Sequence, residues 1–163
     1  MPNETKNENA NSTTSGSANG IKDSGTRQEF QTGAVRDGQK NKGRFDLIPF
    51  WPTLAYAAIM EAGAEKYAAN NWRKGMPISR YINSAQRHLE KYKCGMRDEP
   101  HLWQALWNVA CAIHTQIQIY LGFYPQEFND LYSDFISPDQ PVELLGDFEK
   151  ERVEEFAKSI PKK

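Results

Sequence analysis

Residues 101–116 read HLWQALWNVACAIHTQ, a run without a single Asp, Glu, Lys or Arg. The apolar character continues to Leu121, and Gly122 is a natural stop, so the run predicts a helix from Pro100 to about Leu121. Leu102, Trp103, Ala105, Leu106, Trp107, Val109, Ala110 and Ile113 make it apolar almost all round. Such a helix is buried on most sides, in a bundle core or an oligomer interface. Its polar exceptions are patterned. His101 and Asn108 are seven residues apart, on one face, with Ala105 and Ala112 beside them. Two polar groups separated by a small residue leave room for a ligand. The plainer alternative is a buried pair bonded to backbone or to each other. His114 lies elsewhere on the helix and receives no role.

Working back from this helix, Asp98, Glu99 and Pro100 suit its first turn, where acids and proline are favoured without further reason. The functional alternative is that one acid faces a site across the bundle. A second helix is expected from about Ser79 to Lys93, stopped at Gly95, with Ile78, Ile82, Ala85, Leu89 and Tyr92 as its apolar stripe. His88 and Arg87 lie beside that stripe; a lone histidine there is more often structural than a ligand. Asn70–Met76 reads as a loop. The first helix should run from about Pro52 to Ala68, after RFDLIPFWP at 44–52, whose prolines delay it. Leu54, Ala58, Glu61 and Glu65 follow i, i+4, i+7 and i+11 spacing, so two carboxylates continue an apolar stripe. Burying them unpaired would be costly, and a metal or a cationic partner such as Lys66 or Arg87 relieves that cost. Alternatively they lie at the stripe's edge and reach water.

The flanks differ from this centre. Residues 1–32 hold almost no large apolar side chains and read as a disordered tail. Gly33–Gly43 is glycine-rich and basic without Walker spacing. It reads either as a flexible lead-in or as a lid carrying Arg36, Lys40, Lys42 and Arg44 toward an anion. Beyond Gly122, Phe128, Leu131, Tyr132, Phe135 and Ile136 suggest a short amphipathic segment. Pro138–Pro141 reads as a linker, and Asp147–Ser159 as a charged helix. The expected organisation is an all-α small helical bundle over 33–122, with a disordered tail at 1–32 and a C-terminal helical appendage at 123–163. A net charge of -1 gives no sign of direct nucleic-acid or membrane binding. Two cysteines without a disulfide framework, no apolar run of about 18 residues and no secretory signal predict a soluble cytoplasmic protein.

The ordered set Arg44 with Asp46, Gly63-Ala64, Lys66-Tyr67, Asn71-Trp72, Arg87-His88, Gly95, Asp98, His101 and Asn108 resembles the phage and bacterial dATP/dGTP diphosphohydrolase domain. That family is related to the all-α, MazG-type nucleoside triphosphate pyrophosphohydrolases. The resemblance covers about Gly33 to Gln116. It implies a helical, usually oligomeric domain that uses a divalent metal, Mg2+ or Mn2+. The implied reaction cleaves a purine deoxynucleoside triphosphate, dGTP or dATP, to monophosphate and pyrophosphate; if phage-encoded, it would act in the host cytoplasm. Carried over position by position, Glu61, Glu65 and Asp98 are the catalytic acids, and the same three with Asn108 are the metal ligands. Arg44, Asp46, Lys66, Asn71, Trp72, Arg87, His88 and His101 are the substrate-binding set. Independently of the resemblance, Trp72, Trp51 or Phe45 could stack on a base, although an aromatic near a helix start is more often core. The chain departs from the wider pattern at Ala105 and Asn108, where MazG-type proteins carry a Glu and an Asp three apart, and at Met96, where many relatives carry an acid.

Three function classes follow: a metal-dependent pyrophosphohydrolase, a non-catalytic nucleotide-binding relative, and a helical oligomeric interaction protein. The enzyme requires Glu61, Glu65, Asp98, His101 and Asn108 to converge on a pocket; the interaction protein requires them scattered or capped.

Overall fold

The computed structural model describes residues 25–39, 42–131 and 144–158. The chain divides into two units, Met1–Gly43 and Arg44–Lys163. In the first, β1 (Arg27–Glu29) pairs antiparallel with β2 (Val35–Asp37) in a two-stranded hairpin. Gly33, at φ +80°, makes its turn, a conformation that favours glycine. Residues 27–29, read from composition as part of the tail, are therefore one strand of this hairpin. Arg36 lies on β2 and Lys42 sits 3.7 Å from Asp37. Lys40 lies outside the described residues, as do Tyr132, Phe135, Ile136, Ser159 and the Pro138–Pro141 stretch.

The second unit is helical: α1 (Phe50–Tyr67), α2 (Ile78–Lys93), α3 (His101–Tyr120) and α4 (Asp147–Ala157). The chain forms the small all-α fold expected of it. The stops are those the glycines specify. Gly95 at φ +84° and Gly122 at φ +76° turn the chain out of α2 and α3. Met96 N–H then donates to Lys91 O, and Phe123 N–H to Gln118 O, satisfying carbonyls of each last turn. The start of α2 is capped from far along the chain: Asp130 accepts from Ser79 N–H at 2.9 Å and from Ser79 Oγ at 2.5 Å. The C-terminal part is tied to α3 through Gln116, which donates to Leu144 O, and through Tyr120 Oη, which donates to Glu154 at 2.6 Å. No described helix is long and apolar enough to cross a membrane.

α3 is the hub. α2 packs along it extensively and α1 over a shorter length, while α1 and α2 barely meet. Ile78, Tyr81, Cys111, Ala112 and Ile119 form the buried cluster at the α2–α3 seam. On α3 the face carrying His101, Ala105, Asn108 and Ala112 turns inward, as its spacing indicates. The large side chains Leu102, Trp103, Leu106, Val109 and Ile113 point outward instead.

Two expected stripes are rotated. On α2 the buried residues are Ile78, Tyr81, Ala85 and His88, whereas Leu89 and Tyr92 are exposed. On α1 only Ala55 is fully buried, and the stripe of Leu54, Glu61 and Glu65 lies outside. α1 is apolar on every side until its last turns, so its periodicity selects no face. The outward residues of Phe45–Leu54 and α3 leave a large apolar surface, with Phe45 78% and Trp51 73% exposed.

Candidate functional site

Because α1 and α2 lean on α3 and barely meet each other, a cleft remains between them. Its larger cavity, about 650 Å³, is lined from α1 by Met60, Gly63, Ala64 and Tyr67. The following turn contributes Asn70, Asn71 and Trp72, α2 contributes Arg80, Asn83, Ser84 and Arg87, and α3 contributes Trp107 and Asn108. Among the described residues no carboxylate lines it. A second cavity of about 520 Å³ shares Gly63, Tyr67, Ser84, Arg87, Trp107 and Asn108, and adds Lys66, Lys91, His88, Glu99 and Gln104. Volumes of a few hundred Å³ with aromatic walls and a few convergent polar groups suit a small organic ligand.

Local conformation builds the rim. Ala68, at φ 78° and ψ 151°, occupies a region nearly reserved for glycine, and Asn70 follows at φ 62°. Holding Ala68 there costs on the order of 1–3 kcal/mol, a strain that clusters at ligand sites. This double bend swings Asn71 and Trp72 over the cavity. Trp72 Nε1 is buried without a hydrogen-bond partner among the described residues. Gly75, at φ +71°, lets the loop close: a Cβ there would stand 2.8 Å from the Tyr124 ring and 2.9 Å from that of Phe128.

His114 packs edge-on to Trp72, ring centroids 4.9 Å apart, and to Tyr124 at 6.0 Å. Burial first, and then the charge of Arg73, hold its pKa below 6.5. The unfolded chain therefore binds the proton more readily. This contribution to stability is present above pH 6.5 and is lost as pH falls through the depressed folded value. Thermal melts should show a falling midpoint from about pH 7.5 to about pH 5, and His114→Phe should flatten that slope. An identical slope in the variant would show that His114 is not held neutral.

At the far end of the cleft the α2–α3 loop folds its acids back onto two histidines. His88 and His101 are 7% and 2% exposed, and their Nδ1 atoms are 3.0 Å apart. His101 Nε2 stands 3.0 Å from Asp98 Oδ1, and His101 Nδ1 is 3.8 Å from Glu99 Oε2. The bond to His101 holds the Asp98 carboxyl below its usual range. Burial, reinforced by Arg87, lowers the pKa of His88 and favours the neutral imidazole. His88, Glu99 and His101 offer ligand atoms that all lie within 4.8 Å of one another, so they could hold a metal ion.

The sequence-derived residues therefore separate into groups. Asn71, Trp72, Arg87 and Asn108 line the larger cavity, and Lys66 and His88 line the smaller. His101 and Asp98 belong to the histidine cluster. Arg44 and Asp46 pair with each other, at 2.6 and 2.8 Å, on the surface. Glu61 and Glu65 are exposed and line neither cavity. At about 100° per residue they leave α1 on the side opposite Gly63 and Tyr67. Neither has a hydrogen-bond or ion-pair partner among the described residues. Asn108 turns its amide nitrogen to Gln104 O at 2.8 Å. Within one chain, Glu61, Glu65, Asp98 and Asn108 thus do not form an all-oxygen cage for Mg2+. The donors that do converge are two imidazoles and a carboxylate. Phe45 and Trp51, considered for base stacking, also lie outside both cavities.

Sequence reading missed Arg80, Asn83, Ser84, Lys91 and the inward role of Glu99. A signal existed on α2. Arg80, Ser84, Arg87 and Lys91 recur at i, i+4, i+7 and i+11, a cationic ridge along one helix face.

The second unit is thus an all-α helical bundle whose cleft is walled by cations, amides and aromatic rings, with acid, among the described residues, confined to one end. The chain belongs to the dATP/dGTP diphosphohydrolase family, whose N-terminal domain matches residues 32–121. That span closes at the end of α3 and so contains the whole cleft. No curated protein and no solved structure matches the chain.

Proposed function

We propose that this chain hydrolyses purine deoxynucleoside triphosphates, dGTP or dATP, to the monophosphate and pyrophosphate. The observation that carries the reading is the cleft's charge distribution. Arg80, Arg87, Lys66 and Lys91 line its two cavities, and Glu99 is the one acid among the described lining residues. Such a cleft attracts a polyanion and places fixed positive charge where phosphate charge develops during cleavage. The base and sugar occupy the larger cavity among Trp72, Tyr81 and Trp107, where Asn71, Asn83 and Asn108 offer amide donors and acceptors to a purine edge. The phosphates extend past Arg87 into the smaller cavity, toward Lys66 and Lys91. A divalent cation, Mg2+ or Mn2+, supplies Lewis acidity toward the phosphate oxygens. With Cys94 and Cys111 unbonded, a cytoplasmic setting is in keeping with a soluble nucleotide substrate.

The active species in this proposal is a homo-oligomer. Trp51, Leu54, Leu102, Trp103 and Leu106 border an exposed apolar groove between α1 and α3 that a second copy would cover. Glu61 and Glu65 share the outer face of α1 with Leu54, so the same contact would enclose them. Enclosed carboxylates require a cation or a metal. Glu61→Gln should lower turnover by on the order of 10²-fold or more while leaving helicity and nucleotide binding intact. Wild-type rates in that variant would remove Glu61 from the mechanism.

A non-catalytic nucleotide-binding role has one observation in its favour: Glu61 and Glu65 face away from the cleft within the chain. Incubating the protein with each deoxynucleoside triphosphate and Mg2+ or Mn2+ separates the readings. Conversion of dGTP or dATP to the monophosphate and pyrophosphate supports the hydrolase. Saturable binding of either nucleotide without turnover supports the non-catalytic relative, and the absence of both turnover and binding supports a helical interaction protein.

A further inference from the structure

Two histidines on different helices bring their Nδ1 atoms to 3.0 Å in the interior, an arrangement that constrains their protons. Asp98 Oδ1, 3.0 Å from His101 Nε2, accepts that nitrogen's hydrogen. His101 Nδ1 is then a lone pair aimed at His88. Only one proton fits between the two Nδ1 atoms, so the metal-free pair is held by His88 Nδ1–H donating to His101. Moving that proton to His88 Nε2 leaves a lone pair on each Nδ1, without changing the charge of either ring. Glu99 stands beside them, its Oε2 3.8 Å from His101 Nδ1. Donors around a tetrahedral cation with bonds of about 2.0–2.1 Å stand roughly 3.3 Å apart. The observed 3.0 and 3.8 Å lie either side of that separation, and the ligand atoms of all three residues lie within 4.8 Å of one another, so a bound ion would draw Glu99 inward.

We propose that His88 Nδ1, His101 Nδ1 and the Glu99 carboxylate form a site for one borderline divalent transition cation, of the Zn2+ or Co2+ class. Imidazole donors favour these ions over Mg2+, which prefers an all-oxygen shell. Asp98 is the positioning residue. A carboxylate on the outer nitrogen of a metal-binding histidine fixes its tautomer and raises its basicity. Three protein ligands leave a position open, as in catalytic rather than structural zinc sites. His88 and Glu99 both line the smaller cavity beside Lys66, Arg87 and Lys91, so the open position faces the place assigned to phosphate. Lys91 Nζ, 3.9 Å from Glu99 Oε2, competes for the same carboxylate. The site does not rest on the hydrolase reading, because it binds its ion whether or not any nucleotide is turned over.

The test is a Co2+ titration of the chelator-stripped full chain, followed by visible absorption and by equilibrium dialysis. The expected result is one ion per chain with the intense visible bands of four- or five-coordinate cobalt. Glu99→Gln should abolish those bands; its side chain is exposed, so folding is unaffected, as circular dichroism will check. His88→Gln should do the same, and Asp98→Asn should weaken binding by about 10–100-fold. Lys91→Met should tighten it. Weak octahedral bands only, or intense bands that survive both Glu99→Gln and His88→Gln, would overturn the proposal. Loss of binding with turnover intact in Mg2+ would leave the hydrolase standing, and a cobalt site without turnover the reverse.

Discussion

Arg87→Ala is expected to lower kcat/KM for the triphosphate by on the order of 10²-fold, with little change in stability. Arg87 is the charged residue common to both cavities, so it stands where base and phosphate regions join. Its guanidinium is exposed and donates to Ser84 Oγ at 3.1 Å, a local bond whose loss disturbs no packing. Substitutions at such exposed positions usually stay within about 0.5 kcal/mol in stability. Arg87→Lys should recover only part of the rate, because an ammonium supplies charge without the planar fork that grips two phosphate oxygens. Steady-state kinetics with matched circular dichroism spectra will check this. Unchanged kinetics in Arg87→Ala would show that the cationic ridge of α2 does not meet the substrate.

Tyr81→Ala should be the most damaging single change to the fold. Tyr81 is 1% exposed and packs with Ile78, Cys111, Ala112 and Ile119 where α2 joins α3. Its ring meets Trp107 edge-on at 6.1 Å, so it also supports the cavity wall. Burial raises its phenol pKa to about 12, and the hydroxyl is bonded to buried Thr115. Emptying a core aromatic site costs about 3–5 kcal/mol. Against a typical total of about 5–15 kcal/mol, that leaves the bundle marginal. Tyr81→Phe removes only the hydroxyl bond and should cost about 1 kcal/mol. Urea denaturation of the three proteins gives the comparison. A loss below about 1 kcal/mol for Tyr81→Ala would mean that the α2–α3 seam is not the centre of the core.

The helices of the second unit were legible because their signals are local. Gly95 and Gly122 end α2 and α3 where the sequence places the stops, and the His101–Ala105–Asn108–Ala112 face turns inward as its spacing indicates. Facing was legible only where one side differs from the others. On α1 apolar residues surround the axis, so the pattern of Leu54, Ala58, Glu61 and Glu65 does not mark the inner face: Ala58 is half-buried and the other three are exposed. On α2 apolar spacing favours Leu89 over its neighbour His88, yet His88 is the buried one. His88 is inside because another histidine meets it there, a pairing between helices that leaves no periodic trace in either. Glu99 illustrates the same limit: next to Pro100 at a helix start it needs no function, and only the fold of the loop turns it toward the histidines. The hairpin was hidden because β1 and β2 are three residues each and mostly charged, with no alternation of apolar and polar positions.

Phosphorus NMR of dGTP incubated with the protein and Mg2+ or Mn2+ distinguishes cleavage between the α and β phosphates from every other outcome. The three triphosphate resonances should give way to one monophosphate and one pyrophosphate signal, in step and without a diphosphate intermediate. Appearance of orthophosphate with dGDP, or of intact tripolyphosphate, would contradict it.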